Sequence, residues 1–147
     1  MSSFGPHLVA GISVGVVSSG IFGIYQYPEV SVLTLLPFVG GVCGALTPDM
    51  DIKSHSSMFM YLLYAVGAVY LFFFAGEPFW GFLLLLYSIV PQFFSHRGFI
   101  HSGLFGLVSA LGVFAAFYCN FGEFGLCVAV ACGYYAGFLS HVLLDEV

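Results

Sequence analysis

Ser57-Met-Phe-Met-Tyr-Leu-Leu-Tyr-Ala-Val-Gly-Ala-Val-Tyr-Leu-Phe-Phe-Phe-Ala75 contains no charged side chain and is long enough, as a helix, to cross the hydrocarbon of a bilayer. An uncharged apolar run of this length reads as a membrane span. Five further runs surround it, so the chain divides into candidate spans 8–27, 30–47, 57–75, 78–94, 103–119 and 123–144. Their boundaries fall at helix-breaking or polar stretches such as Tyr27-Pro28-Glu29, Thr47-Pro48-Asp49, Gly76-Glu77-Pro78 and Asn120-Phe121-Gly122-Glu123. Six crossings need about 120 residues, which leaves only short connections in a chain of 147. The expected fold is all-α, a polytopic membrane helix bundle of six spans making one transmembrane domain over residues 1–147. The second and fourth spans are short enough to be re-entrant or partly buried in the bundle.

Composition agrees: 61% of the residues are hydrophobic, 6% are charged, and the mean hydropathy is +1.07. With 2 Lys+Arg against 7 Asp+Glu, almost nothing is available to neutralise a phosphate backbone, which excludes nucleic acid as a partner. The N-terminus, Met1-Ser2-Ser3-Phe4-Gly5-Pro6-His7, has neither the cationic start nor the cleavage motif of a signal peptide, so the first span is expected to be retained. Cys43, Cys119, Cys127 and Cys132 lie inside apolar runs without a CxxC pair, and are read as buried small apolar residues. Gly11/Gly15 and Gly40/Gly44, spaced by four, would let helix backbones approach closely.

Six alternating crossings sort the ionisable residues onto two faces. His7, Asp49, Asp51, Lys53, His55, His96, Arg97, His101, His141, Asp145 and Glu146 share one face, and Glu29, Glu77 and Glu123 occupy the other. Span ends must be polar, but hydropathy does not dictate which end receives the charge. All five histidines gather on one side. Ionisable groups at membrane depth are costly and mark functional sites. Lys53 and His55 also read as solvated loop residues, and the three glutamates as interfacial charges. Lys53 and Arg97 are the only cations and share the histidine face, which the positive-inside rule makes cytoplasmic.

Four clusters on that face can carry chemistry. His141-Val-Leu-Leu-Asp145 puts imidazole and carboxylate on one helix face at i,i+4. Asp49 and Asp51, just past Pro48, are like charges that a divalent cation would stabilise, although Pro-Asp is also ordinary helix punctuation. His96 and His101 lie about 140° apart on a regular helix, so they converge only if Gly98 breaks it or if they meet partners from different sides. The fourth cluster is His7-Leu-Val-Ala-Gly11. Ser102 also reads as the cap of the following helix. Imidazole and carboxylate without thiolate suit zinc, with manganese, iron or magnesium as other possibilities. The planar guanidinium of Arg97 matches a phosphate or developing oxyanion at two points.

In this order and spacing, H-x3-G, PD-x-D, HRG-x2-HS and H-x3-D, the sequence resembles the LexA-regulated, inner-membrane, metal-dependent hydrolases of the YdjM-like family. HRGxxHS is the most specific of these motifs. The resemblance implies His7, Asp49, Asp51, His96, His101, His141 and Asp145 as metal-site residues, with Arg97 and Ser102 beside them at the substrate. Through a distant similarity to zinc-dependent phospholipase C and P1 nuclease, it implies phosphoester hydrolysis in a bacterial or archaeal inner membrane.

The expected function is therefore a membrane-embedded hydrolase using metal-activated water on a phosphoester or lipid-like substrate. Asp49 or Asp51 would position or deprotonate the water, and Arg97 would stabilise charge on the substrate. Membrane lipid is the expected partner. One alternative is a divalent-metal or proton transporter, against which Ser13, Ser18, Ser19 and Gln92 make a sparse polar lining. The other is a structural membrane protein with a bound ion.

Overall fold

The computed structural model describes residues 4–26, 32–51, 54–94 and 98–145. Among these residues the chain forms helices joined by short turns, with no strand and with six α-helices: α1 (Phe4–Gln26), α2 (Leu36–Leu46), α3 (His55–Phe73), α4 (Pro78–Ile89), α5 (Gly103–Phe121) and α6 (Phe124–Asp145). Four of the helices, α1, α3, α5 and α6, are long and apolar enough to cross a membrane. The apolar helices over Leu33–Leu46 and Pro78–Phe93 are shorter, in line with the two short runs in the sequence. Large apolar side chains such as Val16, Leu62, Phe73, Phe82 and Leu111 are exposed on the outer surface, where only lipid tails would accept them.

Two helix starts lie earlier than hydropathy implied. The first helix begins at Phe4 rather than at residue 8, because Pro6 falls in the first turn, where the missing N–H has no intrahelical partner to lose. It therefore carries His7 inside the helix. α3 begins at His55 because Ser54 and Ser57 form a reciprocal capping box, with Ser57 N donating to Ser54 Oγ (3.1 Å) and Ser54 N donating to Ser57 Oγ (3.0 Å).

The hairpins at the end away from the histidines turn on glycine. Gly76 between α3 and α4 and Gly122 between α5 and α6 adopt φ of 70° and 69°, left-handed values that only glycine takes without strain. Each of these glycines is followed by a glutamate, Glu77 or Glu123, at the foot of the next helix.

Close packing centres on α1, α2 and α6. α1 and α2 run antiparallel, with Gly11 against Ala45 and Gly15 against Phe38, as the glycine spacing implied. α2 and α6 run parallel in a fixed register, with Gly133 facing Pro37, Gly137 facing Gly41 and His141 facing Ala45. A Cβ at 137 would overlap the Gly41 carbonyl oxygen, and one at 133 would stand 2.6 Å from that of Pro37. This backbone-to-backbone approach is how helices associate in lipid, where apolar side chains gain nothing by leaving the tails.

The cysteines depart from expectation. Only Cys127 is buried; Cys43 is half-buried, and Cys119 and Cys132 are exposed on lipid-facing surfaces. Apolar character does not imply burial in a bundle whose solvent is itself apolar.

Candidate metal centre

α2 ends at Thr47 because Pro48 cannot continue the hydrogen-bonded ladder, and Pro48–Asp51 forms a single 3-10 turn. That turn carries Asp49 inward, 1% exposed. Its Oδ2 accepts a hydrogen bond from Ser56 Oγ (3.2 Å), which leaves Oδ1 directed at His141 Nε2, 3.4 Å away. Tyr61 OH donates to the Met50 carbonyl and pins the same turn from α3.

His141 is fully buried in the last turns of α6, and its Nδ1 lies 2.7 Å from the Ala45 carbonyl oxygen. A carbonyl only accepts, so Nδ1 carries the proton and, in the neutral ring, Nε2 presents a lone pair. That lone pair faces Asp49 Oδ1 and Asp145 Oδ2, each at 3.4 Å. In that neutral state three acceptors converge without a hydrogen between them. Among the described residues, His141 Nε2, Asp49 Oδ1 and Asp145 Oδ2 are buried and have no hydrogen-bond partner. Such a group of buried acceptors is costly unless a cation sits among them.

The remaining donors arrive from α1 and from the turn before α5. His7 places Nε2 3.4 Å from Asp145 Oδ1 and stacks its ring on His141, centroids 3.8 Å apart. The helical segment that follows α4 ends at Phe93, and Gly98 is the non-helical residue that precedes the 3-10 turn Phe99–His101. His101 then presents Nε2 3.6 Å from Asp145 Oδ2. Asp145 is the hub, with one oxygen towards His7 and the other towards His101 and His141. Ligand atoms of Asp49, His101, His141 and Asp145 all lie within 4.8 Å of one another, a geometry able to hold a metal ion.

Five of the seven residues read as metal-site residues therefore meet at one end of the bundle, from α1, α6 and the two turns that follow α2 and precede α5. Asp51 closes the Pro48–Asp51 turn, and the position of its carboxylate lies outside the described residues, as do His96 and Arg97. Ser102 caps α5: its Oγ accepts from Phe105 N (3.2 Å) and donates to the Phe99 carbonyl (2.6 Å). His55, the first residue of α3, is exposed.

Several residues around the site were not singled out in the sequence. Ser56 and the Ala45 carbonyl orient Asp49 and His141, and Tyr134 OH donates to Thr47 Oγ1 (2.9 Å) two residues ahead of Asp49. The Tyr134 hydroxyl also bonds Tyr87 OH (2.8 Å), which bonds Ser109 Oγ (2.9 Å). The polar lining of the spans is thus richer than Ser13, Ser18, Ser19 and Gln92 suggested, because tyrosine counts as apolar in a hydropathy reading. One signal was present: Tyr134 lies seven residues before His141, two turns away on the same helix face.

The profile of the YdjM inner membrane protein family matches residues 1–147. The chain belongs to that family. It is an integral membrane protein, with a family assignment to the inner membrane and four helices able to span. No curated protein and no solved structure shows significant similarity to it. Membership in the YdjM inner membrane family covers the whole chain, including every residue of the His/Asp cluster.

Proposed function

We propose that this YdjM-family protein is a membrane-embedded, metal-dependent hydrolase acting on a phosphoester, with a lipid-like molecule as substrate. The observation that carries this reading is the convergence of Asp49, His101, His141 and Asp145 within 4.8 Å at one end of an otherwise apolar bundle. Zinc is the cation best supported. Tetrahedral zinc with bonds of about 2.0–2.1 Å needs ligand atoms about 3.3 Å apart. Three His–Asp spacings, 3.4, 3.4 and 3.6 Å, lie close to that value, and all four ligand atoms fall within 4.8 Å of one another. Octahedral magnesium would need neighbouring ligands about 2.9 Å apart, and imidazole suits it poorly.

When bound, the cation would supply Lewis acidity at a phosphoryl oxygen and acidify a coordinated water. The chain's own residues set the conditions for this. Ala45 holds the His141 Nδ1 proton and so turns Nε2 towards the cluster, and Ser56 holds Asp49 with its carboxylate inward, where it would hold the cation or position the water. His7 fixes the far oxygen of Asp145. Apolar walls, including the cluster of Ile100, Phe105 and Phe138, exclude bulk water and strengthen every charge interaction inside. Arg97, from the same sequence cluster as His101 and Ser102, would neutralise the phosphate, and Asp51, two residues after Asp49, would help to position the water. A site at headgroup depth could receive a lipid laterally, and Lys53 and Arg97, which six alternating crossings would carry to the same side, support a cytoplasmic orientation.

Purified protein tests this directly. Elemental analysis should find a transition metal, and a phosphoester panel that includes phospholipid headgroups should show hydrolysis abolished by chelation and by His101→Ala. Metal flux into proteoliposomes without hydrolysis would replace the enzyme with a transporter. Bound metal with neither activity would leave a structural ion.

A further inference from the structure

Two side chains of α6 grip the end of α2, and only one of them belongs to the metal cluster. His141 donates to the Ala45 carbonyl, and Tyr134, two turns earlier on the same face, donates to Thr47 Oγ1. Thr47 is fully buried, caps α2 and donates its own hydroxyl proton to the Cys43 carbonyl (2.8 Å). Its carbonyl accepts Met50 N (3.1 Å), the bond that closes the turn bearing Asp49. Tyr134, 3% exposed, is held in turn by Tyr87 of α4, whose hydroxyl also meets Ser109 of α5. A line of hydroxyls from three helices thus ends on the residue from which the Asp49 turn departs. A hydrogen-bonded chain of this kind restricts where its terminus can sit, because a one-ångström shift of Thr47 would break two bonds at once.

We propose that Tyr134 and Thr47 are positioning residues that fix the Asp49 turn against His141 and thereby set the affinity and coordination geometry of the metal centre. The inference rests on the metal-site reading above. Neither hydroxyl is offered as a ligand: their effect passes through the backbone to Asp49, as outer-shell partners act through the groups they orient. The line adds a hold from α6 to those that Ser56 and Tyr61 of α3 place on the same turn. Tyr87 connects the α3–α4 hairpin to α5 and α6 at this level.

The test uses the full chain in lipid nanodiscs, with zinc affinity read by chelator competition and coordination read by the visible absorption of the cobalt(II)-substituted protein. Tyr134→Phe and Thr47→Val should each weaken zinc binding by roughly 10–100-fold, the usual effect of losing an outer-shell partner, and should alter the cobalt spectrum. Thr47→Ser, which keeps the hydroxyl, should restore both readouts, and Tyr118→Phe, exposed at the far end of α5, should change neither. If one of the two damaging variants fails to fold, the other carries the test, since they break the same bond from opposite sides. Folded variants with wild-type zinc affinity and an unchanged cobalt spectrum would overturn the proposal even if their melting temperatures fell, because that pattern belongs to a purely structural network. A wild-type chain that takes up neither zinc nor cobalt overturns the metal reading itself, and this proposal with it.

Discussion

His141 donates Nδ1–H to the carbonyl oxygen of Ala45 at 2.7 Å, ninety-six residues away in sequence, and this one bond decides which imidazole nitrogen faces the carboxylates. The approach is possible because Gly137 and Gly133, one and two turns earlier, leave α6 no side chain to hold it away from α2. Packing and ligand chemistry are therefore a single feature.

Gly137→Ala should separate the two helices. Its Cβ would meet the Gly41 carbonyl, a rigid backbone atom, so overpacking is expected to cost about 1–3 kcal/mol and to loosen the His141–Ala45 bond. Thermal melting and metal content should fall together. Gly112→Ala, where a Cβ would meet nothing, should leave both unchanged.

Asp145→Asn should have opposite effects in the two metal states. Without metal, the carboxylate faces the lone pair of His141, and an amide in its place could donate a hydrogen bond to Nε2, so stability should rise. With metal present, the variant loses an anionic ligand and should gain little from added zinc. Melting curves with and without zinc measure both signs.

Removing the metal should lower the melting temperature of the wild-type chain. A ligand that binds only the folded state stabilises by about 2.7 kcal/mol at one hundred times its dissociation constant. Acidification should mimic chelation, because protons compete with the metal for the imidazole nitrogens of His101 and His141. The sign is diagnostic: stability that rises on acidification in metal-free buffer would mean that the cluster is held by imidazolium–carboxylate pairs.

His7→Phe separates stacking from ligation. The ring stack on His141 at 3.8 Å survives in phenylalanine, whereas Nε2 near Asp145 is lost. A drop in zinc affinity with an unchanged melting temperature of the metal-free protein would make the nitrogen the functional part of His7. Unchanged affinity would reduce the residue to packing.

Ser56→Ala removes the hydroxyl that orients Asp49, and zinc affinity should fall roughly 10-fold or more. Direct titration of the purified variant measures it.

The sequence by itself determined the class of fold and the side on which the chemistry gathers. Long uncharged runs have no stable arrangement other than helices in lipid, and alternating crossings carry His7, Asp49, His101, His141 and Asp145 to one end whatever the packing. Even the shortness of the second and fourth helices could be read from the length of their apolar runs. Only the tertiary structure decided the rest: that Asp145 rather than Asp49 is the hub, that His141 is fixed by a backbone carbonyl, and that Tyr134 reaches Thr47. The reason is that hydropathy and periodicity report how a helix relates to lipid, whereas the register between helices is set by which glycines face which carbonyls, and that pairing joins positions ninety-six residues apart.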